Sequence, residues 1–255
     1  MRGFSAFVRK EAVEIIRTWR IWVLPGMLLF FALTGPLMAK FTPQIVAAVG
    51  GDQLAGLMKA LPTPTYLDAY GQWAKNLTQI ALFAIIIIYG GLVSSERKSG
   101  TAILVLTKPV SRSAFVIAKA VVHSGFLALT VVVGTLLTWG VTAAVFGRAP
   151  GVALWSSALA WLALGVLFIG VMTLLSTLIG SQAGAAGIGL GVFTLMSLAG
   201  LWEPLAKYSP VALSGASMSL AAGKDAAILW PVVTALGLAV LLVGVAAMAF
   251  RTKEL

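Results

Sequence analysis

The sequence predicts an all-α polytopic membrane protein with six transmembrane helices and both termini in the cytoplasm. Composition is the first reason. Of the 255 residues, 60% are hydrophobic and only 10% are charged, with a mean hydropathy of +1.00, whereas a soluble domain carries about 25% charged residues. In water such a surface would be a set of sticky patches, while lipid tails accept it without cost. The second reason is length. Six apolar stretches can each cross roughly 30 Å of hydrocarbon at about 1.5 Å per residue, and none has an acid, Lys or Arg in its middle. The third is charge asymmetry. With both ends inside, Arg2, Arg9, Lys10, Arg17, Arg20, Arg97, Lys98, Lys108, Arg112, Lys119, Arg251 and Lys253 lie in cytoplasmic segments. Lys40, Lys59, Lys75, Arg148, Lys207 and Lys224 lie in outer ones. The 18 basic residues thus divide twelve to six in favour of the inside.

In chain order, residues 1–20 form a basic segment in which Phe4, Phe7, Val8, Ile15 and Trp19 alternate with charge. It reads either as a helix lying at the cytoplasmic interface or as a short cytoplasmic extension of the first span. No A-x-A-like cleavage site follows, so the first apolar run is a retained span rather than a signal peptide. The transmembrane domain, 21–255, begins with span 1 at 21–39, with Pro25 and Pro36 near its ends. An outer loop, 40–75, carries Pro43, Pro62 and Pro64. Span 2 is 76–94 and a cytoplasmic segment occupies 95–119. Span 3 is 120–145, span 4 is 153–179 and span 5 is 184–202. An outer or re-entrant segment covers 203–226, and span 6 is 227–250. In the Gly-rich stretch at span 5, Gly180/Gly184 and Gly187/Gly191 are G-x-x-x-G pairs, with Gly189 between the latter two; small residues let another helix approach closely. Trp19, Trp22, Trp73, Trp139, Trp155, Trp202 and Trp230 fall near span ends and read as interfacial belts.

Several chemistries are excluded. There is no cysteine, hence no disulfide or thiolate metal site. G-x-x-x-x-G-K-[ST], H-E-x-x-H and G-x-S-x-G are all missing, so any ATP-driven work needs another polypeptide. His123 is the single histidine and reads as a packed or interfacial side chain rather than a ligand. No catalytic, cofactor or metal residue is predicted. The net charge of +10 follows from membrane topology and does not point to nucleic acid.

The informative stretch is 95–119, SERKSGTAILVLTKPVSRSAFVIAK. Glu96, Arg97 and Lys98 end span 2, Gly100 permits a tight turn, and an apolar run from Thr101 to Thr107 is broken by Lys108-Pro109. Ser111 is a candidate cap for the next helix. Physically this is either a compact cytoplasmic knob able to receive force from a partner or an ordinary positive inner loop.

The series Ser95-Glu96-Arg97-Lys98-Ser99-Gly100-Thr101, then Leu104 to Arg112 with Pro109, then Lys119 resembles the permease subunit of ABC-2-type ABC transporters. Together with the basic start, the six spans and the long first outer loop, the resemblance covers nearly the whole chain. It implies a multi-pass permease of a prokaryotic plasma (inner) membrane. Its partners would be a second copy or a homologous permease, membrane lipids and two P-loop ATPase subunits that hold ATP and Mg. It also implies that Glu96, Arg97, Lys98, Gly100, Thr101, Pro109 and Arg112 couple to the ATPase. Glu96 would stabilise the knob, Arg97, Lys98 and Arg112 would contact the partner, and Pro109 would fix the bend. The path would lie between permeases, lined mainly by spans 1, 2 and 5. A secondary transporter or channel without an ATPase, and a non-transport scaffold, are the alternatives.

Overall fold

The computed structural model describes residues 4–49, 62–100 and 111–253. Among these, six helices are long and apolar enough to cross a membrane. Helix α1 (Phe4–Arg17) precedes them. Its buried residues Phe7, Glu11 and Ile15 are four apart and so form one stripe. The chain bends at Thr18–Trp19 and enters α2 (Arg20–Val49), the first span. This helix buries a single face, from Leu24 through Leu28 and Ala32 to Pro36.

Span 1 was expected to end at 39, yet α2 continues to Val49. The apolar run stops at Lys40 but the helix does not. The Lys40 ammonium donates to the Val145 carbonyl and lies 5.7 Å from the centroid of the Phe146 ring, so its charge is satisfied beside the end of a neighbouring span.

The second span, Tyr66–Lys98, consists of α3 (Tyr66–Asn76), a π-helical turn (Leu77–Ala81), α4 (Leu82–Tyr89), a short turn and α5 (Ser94–Lys98). It starts ten residues before the expected position because polar side chains nucleate it. The Asp68 carboxylate accepts from the Thr65 backbone N–H at 2.7 Å and from the Thr65 hydroxyl at 3.0 Å. Trp73, expected in an interfacial belt, is instead core. Gly134 on the next span leaves room for its ring, and its Nε1–H donates to the Thr135 hydroxyl at 3.3 Å. Trp22, Trp202 and Trp230 do sit exposed near helix ends.

Span 3 is α6 (Arg112–Phe146). Ser111 caps it by accepting from the Ala114 N–H at 3.1 Å, and Gly147, at φ +73°, ends it. Residues 112–119, the last part of the cytoplasmic segment, are its first turns, as Ser111 in the role of cap leads one to expect. They are helical because Phe115, Ala118 and Lys119 are buried in packing against neighbouring elements. Next come α7 (Gly151–Leu178) and α8 (Gln182–Ala199). The second span and α7 are each 67% buried over their most apolar window, against 28% for α2 and 17% for α8. The first two are therefore the centre of the bundle, and the last two leave most of their surface to lipid or to another chain.

The outer segment folds as helix, break, helix: α9 (Glu203–Tyr208), a 3₁₀ turn (Pro210–Ala212) and α10 (Leu213–Ala221). At the break the Tyr208 carbonyl accepts from the Thr234 hydroxyl of α11 (Leu229–Arg251) at 3.0 Å. That point lies about 8 Å along α11 from its start. The chain then returns along α7, where the buried Ser157 and Ser217 hydroxyls are 3.1 Å apart, and turns at Gly223, φ +73°, beside Leu67.

Candidate functional site

One end of the bundle gathers α1, α5, the start of α6, the turn between α7 and α8, and the end of α11. These segments carry the basic excess, so this end faces the cytoplasm.

The second span loses helical form here after Tyr89. The freed N–H groups of Val93 and Ser94 donate to the Ser176 hydroxyl of α7 at 2.9 and 3.1 Å, so these two backbone donors are paired at depth. Gly90 and Gly91 allow the N-terminus of α8 to press against this turn. A Cβ on Gly90 would lie 2.7 Å from the Gln182 carbonyl oxygen, and the Gln182 side-chain amide donates to the Ile87 carbonyl at 3.1 Å. Gly90→Ala is expected to destabilise the protein by about 1–3 kcal/mol, the usual range for overpacking. A thermal unfolding scan of the detergent-solubilised chain checks this. Gly187→Ala, where a Cβ meets nothing within 4 Å, should not lower the transition.

Below this turn lies an ion network. The Lys119 ammonium, fully buried, donates to Glu96 and to Glu11 Oε2, the latter at 2.9 Å. Lys10 reaches Glu11 at 2.9 Å, Glu96 at 2.7 Å and Glu14 at 2.6 Å, and Arg20 reaches Glu14 at 3.4 Å. Three carboxylates thus face three cations, and the network ties α1 to α5 and α6. The Glu11, Glu14 and Glu96 carboxylates offer oxygens within 4.8 Å of one another. Two ammonium groups already bond those oxygens, so the set is a paired network rather than a cation site. His123 packs beneath it, its ring edge-on to Tyr89 with centroids 5.0 Å apart. Its Nε2 is 3.8 Å from Glu11, longer than a hydrogen bond.

These contacts set the charge states of α1. Burial alone would raise the Glu11 carboxyl, but the Lys119 and Lys10 ammonium groups, both at 2.9 Å, outweigh it and hold it well below the usual carboxylate range. Burial likewise works against charge on Glu14, and Lys10 and Lys119 draw it below its ordinary value. For Lys10 burial lowers, while Glu11, Glu14 and Glu96 raise; the net shift is upward. All three groups are ionised at neutral pH.

Sequence comparison decides what this arrangement belongs to. The description of ABC-2 family transporter proteins matches residues 5–255, practically the entire chain. The chain is a member of the ABC-2 transporter family. It is 25% identical over 212 residues to the uncharacterized transmembrane protein YxlG of Bacillus subtilis (strain 168), covering 82% of this chain and 81% of that one. It is also 30% identical over 198 residues to the probable ABC transporter permease protein NosY of Stutzerimonas stutzeri, covering 74% of this chain and 65% of that one.

The predicted coupling residues divide between buried and exposed positions. Glu96 is buried in the ion network. Arg97 turns inward: its guanidinium donates to the Thr177 carbonyl at 3.4 Å and borders Gly180 at the α7–α8 turn. Arg112 donates to the Arg251 and Lys253 carbonyls at 3.2 and 2.9 Å, against the end of α11. Lys98 is exposed and Gly100 has φ +72°, a left-handed turn that glycine favours. Thr101 and Pro109 lie outside the described residues. On α8, a Cβ at Gly184 would touch only its own turn, and one at Gly187 or Gly191 would meet nothing within 4 Å. At Gly189 it would fall 2.6 Å from the Met172 sulfur and 3.0 Å from Ile86, so the close approach within the chain is made at Gly189.

Sequence reading passed over Lys10, Glu11, Glu14 and Arg20 as parts of a basic segment, and counted Lys119 only as an inner charge and a motif position. A signal was present. Glu11 interrupts a period-four stripe of Phe7 and Ile15, and an acid on a buried stripe calls for a cation opposite it.

Proposed function

We propose that this chain is the membrane half of an ATP-driven transporter, coupled at its cytoplasmic end to P-loop ATPase subunits that bind ATP and Mg. It is a permease by family, and the probable permease role of the Stutzerimonas relative points the same way. The observation that carries the coupling is the ion network. Through Glu11, Lys119 and Glu96 it joins the interfacial helix α1 to the α5 knob, so the two move as one piece. Arg9 on α1 and Lys98 on α5 remain exposed and form the basic face that would receive an ATPase. ATP binding would close the ATPase pair and push this piece. The Ser176 hydroxyl of α7, bonded to the turn before α5, and Arg97 of α5, bonded to Thr177 beside the α7–α8 turn, would carry the push into α7 and α8.

The translocation path would form between two permease copies, or between this chain and a homologue. The lightly buried α2 and α8 supply the faces for that pairing, with Phe30, Leu33 and Leu37 on one and Gly187, Gly191 and Leu195 on the other. The apolar spans suit a lipid-like, drug-like or peptide cargo moved outward.

Affinity purification of the chain from its native membrane in mild detergent tests this reading. Recovery of a P-loop ATPase, identified by mass, and loss of that partner on Lys98→Glu with Arg9→Glu are expected. A folded chain recovered alone, with vesicles that pass solutes without ATP, would overturn it in favour of a channel or secondary carrier.

A further inference from the structure

Between α6, α7 and α11 lies an open apolar groove of about 450 Å³ that the transport reading does not use. Its walls include Ala120 and Ser124 of α6, Gly170 of α7, and Ala239, Val240 and Gly244 of α11. Gly170 forms the floor, where a Cβ would lie 3.1 Å from the Ala239 carbonyl oxygen; α7 and α11 are already in contact there. At Gly244 a Cβ would meet nothing within 4 Å, so the space over that glycine is open. At about 30 Å³ per group, the share a water molecule takes in the liquid, the groove holds on the order of fifteen carbon-sized groups.

Depth and charge identify what fits. On α6 the groove runs from Ile117 to Ser124, a rise of about 10 Å, within the inner half of a hydrocarbon layer about 30 Å thick. The cytoplasmic corner where α6 begins and α11 ends lies beyond its inner end. There the Arg112 guanidinium sits against the Arg251 and Lys253 carbonyls, which places it against the backbone of two further basic residues. None of the three makes an ion pair among the described residues. From Arg112 to Ser124 is about 18 Å along the helix, close to the depth of one lipid leaflet from headgroup to midplane. Basic sites between transmembrane helices on the cytoplasmic side suit anionic headgroups.

We propose that this groove is a binding site for one anionic phospholipid of the inner leaflet, with an acyl chain along Ala120, Gly170 and Gly244 and its phosphate at Arg112, Arg251 and Lys253. The site needs only the membrane orientation of the chain and not the ATPase coupling, so either reading can fail without the other.

The test uses the full chain reconstituted in nanodiscs of phosphatidylcholine with 20 mol% phosphatidylglycerol as a probe composition, followed by native mass spectrometry of retained lipid. Wild type is expected to keep one phosphatidylglycerol per chain through mild activation. Gly244→Phe fills the groove and should reduce retention at least tenfold, while circular dichroism and gel filtration show an intact fold. Arg251→Gln with Lys253→Gln should cut the preference for phosphatidylglycerol over phosphatidylcholine by about 25-fold, at roughly 1 kcal/mol or fivefold per basic side chain. Three results would overturn the proposal: no lipid retained by folded wild type, equal retention of both lipids, or retention by the Gly244 variant equal to wild type.

Discussion

Lys119→Met is expected to lower stability by about 3–5 kcal/mol, because it leaves two carboxylates facing a buried space from which their cation is gone. Glu11 and Glu96 both bond the Lys119 ammonium, and Lys119 and Glu11 are almost wholly buried. Lys10 remains near both acids but is partly exposed and shared with Glu14. Methionine keeps the length of the side chain, so the loss reports charge rather than a cavity. For a chain of this size the midpoint of thermal unfolding should fall by roughly 10 °C. Glu14→Gln, at the partly exposed rim beside Lys10 and Arg20, should cost only about 1 kcal/mol. The same network fixes a pH window for docking of α1. Glu11 is depressed from its ordinary 4.5, so its contribution is present above that value and is lost as pH falls below it. Lys10 is raised from 10.5, so its contribution is present below that value and is lost as pH rises above it. Protease protection of α1 should therefore hold from about pH 5 to 10 and decline on both sides.

Trp73→Ala is the second large loss, about 3–5 kcal/mol. The indole is wholly buried between α3 and α6, gives its N–H to Thr135 and occupies the space left by Gly134. Lipid does not drive spans together as water does, so contact of this kind is what holds α3 on α6. Removing the ring leaves a void and an unpaired Thr135 partner. Trp73→Phe should recover part of the loss, since it restores ring volume without the donor. Thermal scans of the three proteins in one detergent give the order wild type, Phe, Ala.

The two predictions mark where sequence was informative and where it was not. Span number and orientation were legible because lipid imposes a length and a charge rule on each segment separately. Helix ends were less legible because hydropathy sees where the apolar run stops, not where the helix stops. Lys40 ended the apolar run of span 1, yet its ammonium finds the Val145 carbonyl and the helix continues. Trp73 looked like a belt residue because its place near a span end was visible and Gly134 opposite it was not. Glu96 was legible as a motif position, but its partners Lys10 and Lys119 lie 86 and 23 residues away. That pairing belongs to the tertiary fold, and no local pattern encodes it. Arg97 and Arg112 were legible as motif cations, but the carbonyls that accept from them, Thr177 of α7 and Arg251 and Lys253 at and beyond the end of α11, are far away in the chain.

Site-specific photocrosslinking in native membranes reports whether α1 and α5 together receive an ATPase. A photoreactive residue replaces Lys98 on α5 or Arg9 on α1, with Leu201, exposed at the opposite end, as the control. Crosslinks to a P-loop ATPase are expected from positions 98 and 9, and none from position 201. Loss of both inner crosslinks is predicted when Lys119→Met is added, because α1 and the knob then no longer form one face. Crosslinks at 98 and 9 that reach only lipid, in a chain shown to be folded, would contradict the account.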